Sequence, residues 1–230
     1  METPAYIQPI EAAFINYAKP KNAVQMKKYM KDKFAFFGIS SPERKEIYKT
    51  HKNRFGLIPE VHKSEIIYWC WEAPQREYQY FAMEFTGKGQ KMVKPEIIHL
   101  YEYMISTKSW WDTVDFIAAN PVGSFFKQYP ENIKKVTDRW MNSNNMWLQR
   151  ACLLFQLKYR SETNTALLSS FINSLALSKE FFIRKAIGWA LREYSKTDAD
   201  FVVQFVKEHE LSGLSKREAL KWLKNKDITK

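Results

Sequence analysis

The stretch FFIRKAIGWALREY, residues 181–194, decides the fold, because it has a partner of the same design 35 residues earlier in MWLQRACLLFQLKY, residues 146–159. Each opens on bulky aromatic residues, brings a cation soon after, and places a small residue, Ala151 or Ala186, about one turn later. PQREYQYFAMEF (74–85), SWWDTVDFIAAN (109–120) and SKREALKWL (215–223) follow the same pattern. Ala151, Ala186 and Ala219 stand 35 and 33 residues apart, and Trp111 to Trp147 is 36. A period in the mid-thirties is too long for one helix and suits a helix pair, so the expected fold is all-α, an α-solenoid of HEAT-like helix-pair repeats with a concave groove.

The segments between the repeated helices supply the partners: PEIIHLYEYMI (95–105), PENIKKVTDRWM (130–141), NTALLSSFINSLAL (164–177) and DADFVVQFVKEH (198–209). Seven Gly and nine Pro in 230 residues are too few for an all-β chain, which needs a turn about every ten residues. In SPERKEIYK, Ser41 is expected to cap a helix with Pro42 at its first position. Residues 1–60 fit the period poorly and read as N-terminal capping helices, so the chain is expected to be a single HEAT-like repeat domain, 1–230.

Composition narrows the function classes. With 45% hydrophobic and 27% charged residues the chain is globular, and no run approaches the roughly 20 apolar residues of a membrane span. No secretory leader is evident, so a cytoplasmic protein without membrane partners is expected. The two cysteines and four histidines are scattered, with no pair at ligand spacing, so neither a metal site nor a cofactor is expected. Thirty-six Lys and Arg against 25 Asp and Glu give a net charge of +11, which suits a polyanion presented to folded helices.

Within the repeats, TKSWWDTVD (107–115) is unusual. Its Ser109-x-x-Asp112 spacing predicts a helix that starts at Ser109 and puts Trp111 and Asp115 on one face. Asp115 falls in the register that Ala151 and Ala186 occupy later, where a carboxylate opposes the binding of a polyanion unless it has other work. It either performs chemistry or satisfies Arg150 of the next repeat. Trp189 stands on a repeated helix with Lys185 one turn before it and Arg192 just after. Arg150, Arg184, Lys185 and Arg192 form a row of cations able to follow phosphates, extended by Lys158 and Arg160, while salt bridging between repeats is the alternative for any one of them.

TKSWWDTVD, NMWLQRACLLFQLKY and SKEFFIRKAIGWALREYSKT resemble the AlkD family of bacterial DNA glycosylases, HEAT-like proteins that remove alkylated purines. YMKDKFAFFGISSPERK and LSKREALKWL extend the resemblance over nearly the whole chain. It implies that Trp111, Asp115 and Trp189 surround the lesion nucleotide and that Arg150 and Arg192 contact the DNA backbone. It also implies a monomeric, monofunctional enzyme of the bacterial nucleoid that acts on N3- and N7-alkylpurines in double-stranded DNA and leaves an abasic site. Ser40 departs from the Gln common after FFGI in the family, so no N-terminal contact is carried over at that position. A non-catalytic solenoid that binds nucleic acid or protein shares the fold and charge but has no need of the three residues together. An O-glycoside hydrolase is the remotest alternative, because the sequence shows no second carboxylate recognisable as a partner at the required separation.

Overall fold

The computed structural model describes residues 2–58, 60–86 and 93–226. Among them there are α-helices and short 3₁₀ and π segments but no strand, only an isolated bridge between Ala35 and Gln75. The chain forms two compact units, residues 1–91 and 92–230.

The first unit holds α1 (Gln8–Asn16), α2 (Pro20–Tyr29), α3 (Ser41–Phe55), α4 (Lys63–Glu72) and α5 (Arg76–Thr86). Its core is aromatic. Phe14, Tyr48, Tyr78 and Phe81 are all buried, with ring centroids 5.2–6.2 Å apart. α3 is capped one residue earlier than the sequence suggests: Ser40, not Ser41, is the N-cap, and its N–H and hydroxyl both donate to Glu43, at 3.1 and 2.7 Å. This capping box spends Ser40 on the helix end. α5 carries Glu77, which is fully buried and accepts the backbone N–H groups of Phe37, Gly38 and Ile39 at 3.0–3.3 Å. Gly38 has φ +88°, and a Cβ there would lie 2.2 Å from the Lys19 carbonyl oxygen, so only glycine fits the turn that Glu77 clasps.

The second unit alternates as the period requires. α6 (Ile97–Ser106) precedes α7 (Trp111–Ile117), which continues through a π segment, Ala118–Val122, into α8 (Gly123–Gln128). Pro121 lies in that segment; it has no N–H to give, and the wider turn accommodates its ring. There follow α9 (Asn132–Met141), α10 (Met146–Leu154), α11 (Thr165–Leu175), α12 (Phe181–Tyr194), α13 (Ala199–Glu208) and α14 (Gly213–Lys224). α7, α10, α12 and α14 pack each against the next in a single row, and α6, α9, α11 and α13 back them. Side-chain caps mark four starts: Asn145 accepts from the N–H of Trp147, Asn164 from Leu167, Asp198 from Phe201 and Ser212 from Ser215.

Small residues set the spacing of the row. Ala151, Ala186 and Ala219 are all fully buried, and their single methyl groups let successive helices come close. Gly188 extends this to the limit: a Cβ there would lie 2.5 Å from Glu218 Cβ and 2.8 Å from the Ser215 carbonyl oxygen. α14 therefore rests on the bare backbone of α12, and the Ser215 hydroxyl fastens it by donating to the Arg184 carbonyl at 2.9 Å.

Two outcomes are expected. Gly188→Ala forces α12 and α14 apart and costs about 1–3 kcal/mol in urea denaturation; an unchanged midpoint would show that the contact relaxes freely. In the first unit His51 is 4% exposed among the rings of Tyr6, Phe55 and Phe81, and burial pulls its pKa from 6.5 down to about 4. The neutral ring is favoured above pH 6.5, so stability falls as pH drops from 6.5 to about 4, by on the order of 3 kcal/mol at the lower end. His51→Phe removes that part of the acid dependence, as urea titrations across the interval can measure.

Candidate functional site

The helix carrying Trp111 and Asp115 begins at Trp111, with Trp110 as its N-cap, rather than at Ser109. The Ser109 hydroxyl is drawn to the preceding helix, where it donates to the Ile105 carbonyl at 2.6 Å. Lys108 supplies the sharp turn with φ +47°. Trp111 and Asp115 both remain within α7 at i, i+4, so they share a face as expected.

Asp115 meets Arg150 of α10 in a two-pronged ion pair. Arg150 Nε donates to Oδ1 at 2.7 Å and Nη2 to Oδ2 at 2.8 Å, while Nη1 donates to the Phe182 carbonyl at the start of α12. One guanidinium thus ties α7, α10 and α12 together. The Asp115 side chain keeps 14% of its surface and Arg150 only 5%. Burial pushes the Asp115 carboxyl above the ordinary carboxylate value, and the two hydrogen bonds and charge of Arg150 pull against that rise. Arg150, expected from its register to join the exposed row of cations, is instead enclosed, with each of its three nitrogens engaged. Phe182 itself packs edge-on to Trp110, at 4.9 Å, and against Trp147, at 5.0 Å, so aromatic rings roof this junction.

On α12 Phe182, Lys185, Trp189 and Arg192 follow at i, i+3, i+7 and i+10, a single stripe of the helix. Trp189 is half-buried in that stripe, as Trp111 is on α7. Lys185 and Arg192 converge on Glu218 of α14, at 2.8 and 3.0 Å. The Lys185 hydrogen bond, and then the charges of Lys185, Arg192 and Lys221, hold the Glu218 carboxyl below its ordinary value. Sequence reading misses Glu218. Its only signal is its place one residue before Ala219, in the register of Arg150 and Lys185, which precede Ala151 and Ala186.

The remaining cations are arranged differently. Lys158 is exposed and its ammonium pairs with the Asn120 side-chain oxygen. Arg160, at φ +53°, lines a cavity of about 460 Å³ with Ala190, Glu193 and Tyr194, a different side of α12 from the Trp189 stripe. In the first unit α5, the counterpart of α7, encloses two charged residues, Arg76 and Glu77, fully. Among the described residues no group of three or more His, Cys, Asp or Glu is placed to hold a metal ion, and no helix is long and apolar enough to cross a membrane.

The ion pair has a measurable weight. Arg150→Ala strands a largely buried carboxylate and is expected to cost about 3 kcal/mol in urea denaturation, whereas Asp115→Leu combined with Arg150→Met recovers most of the loss. A single-alanine cost below about 1 kcal/mol would mean that water replaces the guanidinium.

The chain matches the DNA alkylation repair enzyme family over residues 10–223. It is similar to a solved structure described as a predicted DNA alkylation repair enzyme from Enterococcus faecalis, at 33% identity and a TM-score of 0.81, covering 90% of this chain and 96% of that one. No curated protein matches. These likenesses place the chain in the DNA alkylation repair enzyme family, and its role lies in the repair of alkylated DNA.

Proposed function

We propose that this protein is a monofunctional DNA glycosylase that hydrolyses the N-glycosidic bond of cationic N3- and N7-alkylated purines in duplex DNA and leaves an abasic site. The observation that carries the reading is Asp115: a carboxylate with part of its surface open to solvent, held from behind by Arg150 and one turn beyond Trp111.

The chemistry asks for little more. A purine alkylated at N3 or N7 already bears a positive charge, so it departs without a general acid, unlike the leaving group of an ordinary glycoside. As the bond breaks, positive charge builds on the deoxyribose, and a fixed carboxylate beside it lowers the barrier. Arg150 acts here as an orienting partner rather than as a phosphate contact. The fork fixes the plane of the carboxylate, and the bond to the Phe182 carbonyl fixes the fork, so no reorganisation is needed at the moment of reaction. The lone pairs turned away from the fork serve the sugar and position the attacking water. Trp111 and Trp189 hold the sugar and backbone through their ring faces, by contacts worth about 0.5–2 kcal/mol each. Lys185, Arg192 and Lys158 supply the attraction to the backbone, in keeping with the net charge of +11, whereas Arg160 faces another side of α12.

The same ion pair supports one rival. If Asp115 serves only to neutralise Arg150, the protein is a non-catalytic binder of DNA. Asp115→Asn separates the two. A unit charge at about 4 Å with an effective dielectric near 20 is worth on the order of 4 kcal/mol, and each ~1.4 kcal/mol is tenfold in rate. The exposed side of Asp115 lowers this, so release of 7-methylguanine from duplex DNA in single turnover, after subtraction of spontaneous loss, is expected to slow by roughly ten- to a thousandfold. Affinity for the duplex rises as one repulsive charge leaves. Release at the wild-type rate would sink the role given to Asp115, and no release by the wild type would favour the binder.

A further inference from the structure

We propose that Glu218 is a positioning residue for DNA: from α14 its carboxylate fixes Lys185 and Arg192 on either side of Trp189, so that the two cations meet the backbone as a set pair. This rests on the reading that the α7–α10–α12–α14 row binds the duplex.

An acid among the cations of a polyanion-binding row opposes affinity, so its placement needs a reason. Lys185 lies about 6 Å before Trp189 along the axis of α12, and Arg192 about 4.5 Å after it, on the same stripe. Each Glu218 oxygen takes one of them, Oε1 the Lys185 ammonium at 2.8 Å and Oε2 an Arg192 nitrogen at 3.0 Å. A long lysine or arginine left alone samples many rotamers, and docking onto phosphate then costs that freedom. Here the freedom is lost in advance. Lys185 and Arg192 remain 36% and 27% exposed, so their outer donors stay open to a second anion.

Three contacts hold the stretch of α14 that carries Glu218 in place. Gly188 lets its Cβ sit directly on the α12 backbone, where a glycine hydrogen replaces a Cβ that would stand 2.5 Å away. The Ser215 hydroxyl, one turn before it, is bonded to the Arg184 carbonyl of α12. Ser212 caps α14 by accepting the Ser215 N–H at 3.1 Å. The carboxylate is also only 16% exposed and stays ionised, because Lys185 and then Arg192 and Lys221 favour its charge. An ordinary surface salt bridge has none of these supports and adds little.

The test compares Glu218→Gln in the full chain and in a Lys185→Ala/Arg192→Ala background, using undamaged duplex for affinity across salt and a 7-methylguanine duplex for release at saturating protein. In the otherwise unchanged chain, Glu218→Gln is expected to bind undamaged duplex about three- to tenfold more tightly, with a salt slope steeper by about one, because a negative charge has left the row. Release from the saturated complex falls about five- to fiftyfold, the opposite direction. In the double-alanine background release moves no more than about twofold, since nothing remains to be positioned, whereas the gain in affinity persists, because it comes from the lost charge alone. Glu218→Asp keeps the charge but is one methylene too short to span both cations; it is expected to lose release and to bind undamaged duplex about two- to fivefold more weakly, because the freedom of Lys185 and Arg192 is then lost on docking, and it decides the matter if the glutamine variant does not fold. Equal effects of Glu218→Gln on release in the two backgrounds, or release at the wild-type rate, overturn the proposal. If the wild type releases no base, the glycosylase reading fails separately, and the affinity of Glu218→Asp decides: binding weaker than wild type, with no such loss in the double-alanine background, upholds positioning, and unchanged binding refutes it.

Discussion

The second unit depends on one guanidinium. Arg150 reaches from α10 to the Asp115 carboxylate on α7 and to the Phe182 carbonyl on α12, so three consecutive members of the row share a single set of hydrogen bonds. Its enclosure at 5% exposure makes the pair costly to break, since either charge left alone would lie in a poorly solvated place. The aromatic contacts of Trp110, Trp147 and Phe182 shield it further. A carboxylate held this way is fixed in one orientation, which is what the role proposed for it, stabilising charge without reorganisation, requires.

A second constraint acts at the other end of the row. Gly188 allows α14 to touch the α12 backbone, and the reward of that approach is a place for Glu218 between Lys185 and Arg192. Two carboxylates in this unit therefore do related work: Asp115 orders one cation from α10, and Glu218 orders two from α12. In the first unit Glu77 orders backbone rather than side chains, taking three N–H groups of the turn at Gly38. These three acids, in a chain of net charge +11, are placed where something must be held still.

Helices and their order were legible because both are local. α12 runs from Phe181 to Tyr194, the bounds of the segment that first shows the repeat, and the buried alanines at 151, 186 and 219 mark its period. Caps were less so: Ser40 and Ser41 offer the same chemistry, and Ser109 has the spacing of a cap yet turns to Ile105. A hydroxyl chooses among neighbours within a few ångströms, and one-dimensional spacing does not rank them.

By itself the sequence determined an all-helical chain with a mid-thirties repeat, its positive charge, and the set Trp111, Asp115 and Trp189 through which its family resemblance is read. Only the tertiary structure decided what each cation faces: Arg150 enclosed against Asp115, Lys185 and Arg192 shared by Glu218, Arg160 turned to another side of α12. The physical reason is distance along the chain. A helix is written by contacts three and four residues apart, whereas Asp115 and Arg150 are 35 apart and Arg192 and Glu218 are 26, so their meeting is set by how closely small residues let whole helices approach.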